Sequence, residues 1–390
     1  MEYIYLLNKI SSVGLNQLDP IKYTYSDIEP ETYSSILVRS ASMHNMQLSS
    51  NVLAIARAGA GVNNIPCKEY GKKGIVVFNT PGANANGVKE LVIGSMILAS
   101  RHLLEGNAWV KSLTLDHTLS KTVESGKKQF SGKELLGKTL GVIGLGAIGY
   151  RVANAAIDLG MKVYGYNPDI PVEYAWNLSR DVTPINSLEE LFSLCDYITI
   201  HVPLNDSTKE MIHKGLLSNM KKGGILLNFS RDSLVNEKDI VEALNNGTLS
   251  TYVTDFPTAG LLHKENVITL PHLGASTTES EDNCAIMAVK QLKDYLETGA
   301  IVNSVNYPNC SLGPLSKPSR VCILHKNVPN MLGTFTSVFG ACNLNICDMI
   351  LKARGELAYA MFDVDHKVPE DMIDTLTSID GVLKVRILNL

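Results

Sequence analysis

Gly144, Gly146 and Gly149 stand in the run GLGAIG, at the spacing G-x-G-x-x-G. That spacing alone is a weak signal, but its surroundings are complete. An apolar strand, TLGVI, leads in, and a helix, AIGYRVANAAIDLG, leads out with Ile148, Val152, Ala155 and Leu159 on one face. In such a turn the first glycine permits the tight bend, the second lets backbone approach a pyrophosphate, and the third lets helix and strand pack closely. The helix N-terminus adds N–H groups and partial positive charge. Dinucleotide binding is the expected chemistry. Asn167 ends the next strand, 23 positions after Gly144, where an acidic side chain would bond the ribose and repel the extra phosphate of NADP. Asn keeps the hydrogen bond and drops the charge, and Asp169 restores part of it. The expected cofactor is NAD, with weakened discrimination against NADP.

Three polar residues follow apolar, strand-like runs further along the chain. Arg231 follows GGILLNFS, Asp255 ends TYVTD, and His272 ends NVITLPH. Ligands of open α/β sheets bind outside the carboxyl ends of the strands. Oxidising a 2-hydroxy acid removes a hydride from C2 and a proton from its hydroxyl. A histidine can take that proton near neutral pH. A guanidinium can hold the carboxylate with two hydrogen bonds and polarise the C2 oxygen. His272 is therefore the candidate acid/base and Arg231 the candidate anchor.

The elements that must carry these residues are legible in outline. Residues 1–82 alternate short apolar runs (YIYLLN, SILVRS, VLAIARAG, GIVVFN) with polar, helix-length segments. From 139 to 272 the alternation resumes with strands apolar on both faces, as a doubly covered parallel sheet requires. Residues 277–298 return to a helical pattern. The run NSVNYPNCSLGPLSKPS (303–319) has the composition of a linker. Residues 320–390 read as β-α-β-β-α-β.

Composition sets the outer limits. The chain has 390 residues, 45% hydrophobic and 19% charged, which is ample for several buried cores and excludes wholesale disorder. Its net charge is -4, and residues 320–390 hold seven Lys/Arg against eight Asp/Glu. Such a balance argues against nucleic-acid or anionic-membrane binding, so an anionic ligand must be held by a few placed cations. Seven cysteines without a C-x-x-C pair fit neither a disulfide framework nor a zinc site, and no metal is expected. They read as buried, reduced thiols of a cytoplasmic protein. MEYIYLLNKI reads as a first strand instead of a signal peptide. LVIGSMILA (91–99) falls far short of the roughly 20 residues a membrane span needs.

At this point the sequence resembles the D-2-hydroxyacid dehydrogenase family over nearly its whole length. The resemblance lies in VRSAS (38–42), RAGAGVNNI (57–65), FNTPGANANGVKEL (78–91), GKTLGVIGLGAIG (137–149), HVPLNDST (201–208), NFSRDSLVNE (228–237) and LPHLGAST (270–277). It implies an α/β architecture: a Rossmann-type NAD-binding domain (86–274) inserted in a flavodoxin-like catalytic domain (1–85 and 275–302). After the linker 303–319, residues 320–390 resemble a ferredoxin-like ACT regulatory domain. By position, Arg231 and His272 match the catalytic pair, and Arg39 and Arg57 match cations near a substrate phosphate. An ordinary surface ion pair is the alternative for those two arginines. Gly59 lies in the loop that holds the carboxylate, and Asp255 matches a residue at the nicotinamide carboxamide. Cofactor contacts are implied further for Ala147, Ile148, His201, Val202, Pro203, Thr208, Asn228, Phe229, Ser230 and Gly274, beside Gly144, Gly146, Gly149 and Asn167.

One departure matters. The family places a Glu shortly after the aspartate to pair with the catalytic histidine, and here that position is Ala259. Either another carboxylate, Glu237 or Glu265, substitutes, or the base is less well oriented. In the C-terminal module, His325, Asn327 and Asn345 occupy places that bind serine in related dehydrogenases, and a purely structural dimerisation module is the alternative. Asn330 replaces a usual glycine there, and Asn tolerates the left-handed turn. The resemblance implies NAD-dependent oxidation of 3-phospho-D-glycerate to 3-phosphohydroxypyruvate, opening L-serine biosynthesis in a homodimer or homotetramer. The competing readings are a hydroxypyruvate or glyoxylate reductase and a non-enzymatic NAD-sensing regulator.

Overall fold

The computed structural model describes residues 1–390, apart from the side chain of Glu370. The chain divides into two compact units, Met1–Asn84 with Thr278–Leu390, and Ala85–Thr277.

The first unit opens with five strands, β1 (Glu2–Leu6), β2 (Tyr23–Ser26), β3 (Ser35–Val38), β4 (Ala54–Arg57) and β5 (Val76–Phe78). They form a parallel sheet of order β2-β1-β3-β4-β5, the flavodoxin-like order. Because side chains alternate along a strand, one apolar run feeds two cores. Leu37, Ala54, Ala56, Val76 and Phe78 meet Cys284, Ala288, Leu292 and Tyr295 of the helix Thr278–Thr298. Ile36, Val38, Ile55 and Val77 meet Met43, Val52 and Tyr70 on the other face.

The second unit carries β6 (Thr139–Ile143), β7 (Lys162–Tyr166), β8 (Thr183–Pro184), β9 (Tyr197–Ile200), β10 (Gly224–Asn228), β11 (Leu249–Thr254) and β12 (Val267–Thr269). All are parallel, in the order β12-β11-β10-β9-β6-β7-β8. Renumbered from β6, this is the doubly wound order 3-2-1-4-5-6 with a seventh strand added. The helices Ala85–Arg101 and Gly149–Asp158 cover one face through Val88, Val92, Met96, Val152 and Ala156. The helices Leu188–Leu194 and Glu237–Asn245 cover the other through Leu191, Phe192, Ile240 and Ala243.

The C-terminal segment forms β13 (Ser319–Lys326), β14 (Ile346–Arg354), β15 (Leu357–Val364) and β16 (Val382–Asn389). They make an antiparallel sheet of order β14-β15-β13-β16, with the helices Met331–Ala341 and Glu370–Thr377 between strands. Val321, Ile323, Ala360 and Phe362 meet Phe335, Phe339 and Leu376 of those helices. The alternate residues Cys322, Leu324, Tyr359 and Met361 join the core beneath β1 to β5.

That shared core corrects two expectations. The module does not stand as a third body behind a loose linker, but belongs to the first unit. Residues 303–319 lack helix or strand up to Ser319, yet they are anchored. Asn306 accepts from Val77 N at 3.0 Å and donates to the carbonyls of Ile75 and Cys67, completing the edge of β5. Tyr307 is fully buried and donates to the carbonyl of Gly71 at 2.7 Å. Composition cannot separate a free linker from an irregular segment stitched down by its amides. The cysteines also differ from expectation. Cys195, Cys284, Cys310 and Cys322 are buried, but Cys347 is exposed on the edge strand β14. Burial pushes the Cys195 and Cys310 thiols up to about 12. Among the described residues no helix is long and apolar enough to cross a membrane. Among the described residues no cluster of His, Cys, Asp and Glu could hold a metal ion.

Candidate active site

In the second unit the candidate residues all follow strand exits. The glycine turn follows β6, Arg231 follows β10, Asp255 follows β11 and His272 follows β12. Since β12, β11 and β10 are neighbours, the sheet order itself sets His272, Asp255 and Arg231 side by side. At the turn, Gly144 takes φ +89°, and a Cβ there would press on the backbone of His201. A Cβ at Gly149 would overlap the carbonyl oxygen of Gly144. A Cβ at Gly146 would meet nothing within 4 Å. The outer two glycines are thus required by the fold, whereas the middle one leaves space for a ligand. Ala147 and Ile148 lead into the helix, and Ala147's carbonyl accepts from Arg151 at 2.5 Å. Asn167 already accepts from Leu145 N at 3.0 Å, tying the end of β7 to the turn.

Asp255 is almost wholly buried, at 1% exposure. Its Oδ2 accepts from Gly274 N at 3.3 Å, and its Oδ1 has no partner. Burial holds this carboxyl above its usual range, while His272 and Arg231 pull it the other way. Arg231 and His272 are both exposed. The imidazole of His272 rests on the ring of Phe256, with centroids 4.6 Å apart and planes tilted 48°. The guanidinium carbon of Arg231 lies 5.9 Å from the centroid of the same ring. Arg231 also donates to the carbonyl of Ser230 at 2.6 Å.

The place of the missing Glu is informative. Glu237 turns its carboxylate onto the 258–260 loop, where it accepts from the Thr258 hydroxyl. A Cβ at Gly260 would overlap that carboxylate. Of the two candidate substitutes, Glu237 therefore lies on the loop that carries Ala259. Glu265 is exposed.

The remaining residues divide by what they touch. Asn228 is fully buried, donates to the carbonyl of Arg231 at 2.8 Å and accepts from Ser230 N at 3.1 Å. Ser230 donates to the carbonyl of Ile200 at 2.7 Å. Phe229 lies in the core with Val142 and Val253. The side chains of Asn228 and Phe229 thus build the Arg231 loop from below and do not line an open surface. His201 Nε2 meets the Thr199 hydroxyl at 2.9 Å, its Nδ1 is buried without a partner, and burial pushes the imidazole down to about 3. Thr208 bonds the carbonyl of Pro203 at 2.7 Å, closing the loop that begins at Val202.

In the first unit, Arg39 follows β3 and Arg57 ends β4. Arg57 Nε donates to the carbonyl of Arg39 at 2.9 Å. A Cβ at Gly59 would stand 2.7 Å from the Arg57 guanidinium, the movable end of a long side chain. Arg39 itself pairs with Glu281 at 2.7 Å. In the C-terminal module, His325 is buried with Nδ1 against the carbonyl of Lys326 at 2.8 Å and Nε2 unpartnered. Asn327 donates to the carbonyl of Gly355 at 3.1 Å, and Asn345 N donates to Asp365 at 3.1 Å. Asn330 adopts φ 67°, the left-handed turn.

Sequence reasoning missed Phe256, Glu281 and Asn8. Asn8 Oδ1 accepts from the backbone of Arg39, Ser40 and Ala41 at 3.1, 3.1 and 2.9 Å, and so shapes the Arg39 loop. An Asn just past a first strand gives no signal of that, since its partners lie some thirty residues away. For Phe256, only its adjacency to Asp255 was available.

The D-isomer specific 2-hydroxyacid dehydrogenase, NAD binding domain model matches residues 93–274. The chain is 31% identical over 360 residues to D-3-phosphoglycerate dehydrogenase of Haemophilus influenzae, covering 88% of this chain and 83% of that one. It is 36% identical over 274 residues to hydroxypyruvate reductase of Thermotoga maritima, covering 66% and 83%. Among solved structures it is similar to NAD+-bound 3-phosphoglycerate dehydrogenase of Entamoeba histolytica, with TM-score 0.60 and 27% identity over 78% of this chain and 98% of that one. With the glycine turn and strand-exit residues in place, the chain belongs to the D-isomer specific 2-hydroxyacid dehydrogenase family and is an NAD-dependent oxidoreductase.

Proposed function

We propose that the enzyme oxidises 3-phospho-D-glycerate to 3-phosphohydroxypyruvate, the opening step of phosphorylated L-serine biosynthesis. The observation that carries this reading is the joined pair Arg39–Arg57, set at adjacent strand exits in a chain whose net charge is -4. Two guanidiniums suit a phosphate dianion, which overall charge would otherwise repel.

The fit of NAD rests on the space at Gly146 and on the unpartnered, buried Asp255 Oδ1, which suits an amide N–H such as that of a carboxamide. NAD supplies the hydride acceptor when bound. The protein's own residues do the rest. Arg231 holds the substrate carboxylate with a charge-assisted pair of hydrogen bonds. His272 takes the C2 hydroxyl proton on a ring nitrogen and returns it in the reverse reaction. Buried Asp255 favours the imidazolium that forms, by its charge. Asn228 fixes the backbone at Arg231. In the C-terminal module, L-serine binding draws on the unpartnered His325 Nε2 and on Asn327 at one end of β13, whereas Asn345 lies at the opposite end of the sheet, level with Ser319. Exposed Leu103, Leu104 and Val110 on the helix Leu103–Ser112, which buries no residue, suit a homodimer or homotetramer.

A second reading has its own observation. Glu281 neutralises part of the Arg39 charge, which favours an unphosphorylated acid such as hydroxypyruvate. Steady-state NADH formation from 3-phosphoglycerate and from D-glycerate separates the two, and repeating it with L-serine tests the effector. A kcat/KM for 3-phosphoglycerate at least about tenfold above that for D-glycerate is expected, since a charged hydrogen bond contributes roughly 1.5–3 kcal/mol. Equal values would exclude the phosphate reading. No turnover of either acid by folded protein would favour a regulator.

A further inference from the structure

The acid/base in this protein lacks the carboxylate expected to orient it. Ala259 offers only a methyl group, Glu237 is engaged by Thr258, and Glu265 is exposed. Asp255 commits Oδ2 to Gly274 N. The contact His272 does make is with the ring of Phe256, at 4.6 Å between centroids. Arg231 reaches the same ring, at 5.9 Å.

We propose that Phe256 is the positioning residue of this active site: its ring is the shared platform that orients the acid/base His272 and the anchor Arg231. The proposal rests on the assignment of those two residues under the proposed function, and not on the phosphate.

The ring is itself well held. Phe256 follows buried Asp255 at the end of β11, and its N–H donates to the Thr254 hydroxyl at 3.1 Å. Two residues on, Thr258 is bonded to Glu237, whose helix is capped by Asn236 accepting from Asp239 N at 3.2 Å. Leu261 N donates to the Thr258 carbonyl at 3.2 Å, and Leu261 is buried. The platform is thus tied at both ends to the sheet and to the helix Glu237–Asn245.

The physics favours such a support. An aromatic face is the negative part of the ring quadrupole, so it attracts a guanidinium and an imidazole that has gained a proton. A ring contact, tilted here by 48° for His272, also limits the rotation of both side chains, which sit on otherwise exposed positions. The charged groups around His272 are Arg231, which shares its ring, and buried Asp255. Neither fixes the imidazole plane by a hydrogen bond, so the ring is left to do so.

The test uses Phe256→Leu, which keeps an apolar side chain but removes the aromatic face, and Phe256→Tyr, which keeps it. In the full-length enzyme with saturating NAD, Phe256→Leu is expected to lower kcat about tenfold or more, as small misplacements at a reacting centre do. Its KM for NAD should stay within about twofold, because the cofactor turn is untouched. Phe256→Tyr should stay within about threefold of wild type, and adding Ala259→Glu to Phe256→Leu should recover most of the loss. A wild-type kcat in Phe256→Leu, or equal losses in the Leu and Tyr variants, overturns the proposal.

A second readout needs no turnover. The ring protons of His272, assigned in NMR spectra by their loss in His272→Asn, should be shifted upfield by the Phe256 ring current in the wild type. They should move toward free histidine in Phe256→Leu and stay in Phe256→Tyr. Unshifted protons in the wild type overturn the proposal even if Phe256→Leu fails to fold. Should 3-phosphoglycerate not be oxidised while another 2-hydroxy acid is, the substrate reading fails. The Phe256 comparison is then decided with that acid.

Discussion

Arg57 hands its Nε hydrogen to the backbone carbonyl of Arg39 at 2.9 Å, so one cation of the proposed phosphate pair is oriented by the main chain of the other. The bond joins the exits of β3 and β4, and Asn8 shapes the same loop from below. A lysine cannot reproduce this arrangement, because its ammonium is a point charge without the guanidinium fork. Arg57→Lys should therefore raise KM for 3-phosphoglycerate by roughly 10- to 100-fold, in line with about 1.5–3 kcal/mol for a charged hydrogen bond. KM for D-glycerate should change by less than about threefold. Initial-rate kinetics with both acids check this, and a parallel rise for the two acids would remove Arg57 from phosphate binding.

What could be read in the chain beforehand follows local physics. The glycine turn announces itself because its sterics are confined to six residues, and the strand exits announce Arg231, Asp255 and His272 because period and position are both local. The flavodoxin-like and doubly wound orders follow once strands and helices alternate. Long-range stitching is different. Asn306 reads as a linker residue, yet its partners Val77, Ile75 and Cys67 lie more than two hundred residues away. Arg320, near the start of β13, is fully buried, which its charge alone does not announce. Phe256 reads as one more apolar residue, and only the three-dimensional sheet order brings His272 and Arg231 to its ring.

Arg320 links the C-terminal module to the helix Thr278–Thr298. Its Nε and Nη2 meet Asp363 at 2.6 and 2.8 Å, and its Nη1 donates to the carbonyls of Thr298 and Gly313 at 2.8 and 2.7 Å. Arg386 donates to the carbonyls of Tyr295 and Leu296 at 3.2 and 3.1 Å and lies over the Tyr295 ring. Two cations thus reach carbonyls of a helix C-terminus, where positive charge is favoured. Asp363→Leu strands a buried guanidinium and should cost about 3–5 kcal/mol. Adding Arg320→Met should restore part of that, though not all, since the helix carbonyls then lose a donor. Urea unfolding of both variants decides it, and a loss below about 1 kcal/mol in Asp363→Leu would mean that water reaches the pair.

His201 predicts acid lability. Burial lowers its imidazole to about 3, against an ordinary value near 6.5. The folded state keeps it neutral while the unfolded chain takes up a proton, so stability is full above pH 6.5 and drains away as pH falls toward 3. Buried His325 is lowered in the same direction. Each contributes a slope of up to about 1.4 kcal/mol per pH unit inside its window. His201→Gln keeps a partner for Thr199 and cannot titrate. Between pH 6.5 and 5, its unfolding free energy should fall less steeply than that of the wild type by up to one proton. Superimposable slopes would place His201 in contact with solvent.

Gly146 and Gly149 should respond oppositely to the same change. A methyl group at 149 overlaps the Gly144 carbonyl, so Gly149→Ala must push the helix off β6 and lower the melting temperature of the protein without cofactor. A methyl group at 146 meets nothing within 4 Å, so Gly146→Ala should melt within about a degree of wild type. Where the backbone must approach a pyrophosphate, however, that same methyl group intrudes. Gly146→Ala should therefore weaken NAD binding by about tenfold or more, measured by quenching of intrinsic tryptophan fluorescence or by calorimetry. Wild-type NAD affinity in Gly146→Ala would show that the pyrophosphate does not approach the second glycine, and the helix N-terminus alone would then have to hold it.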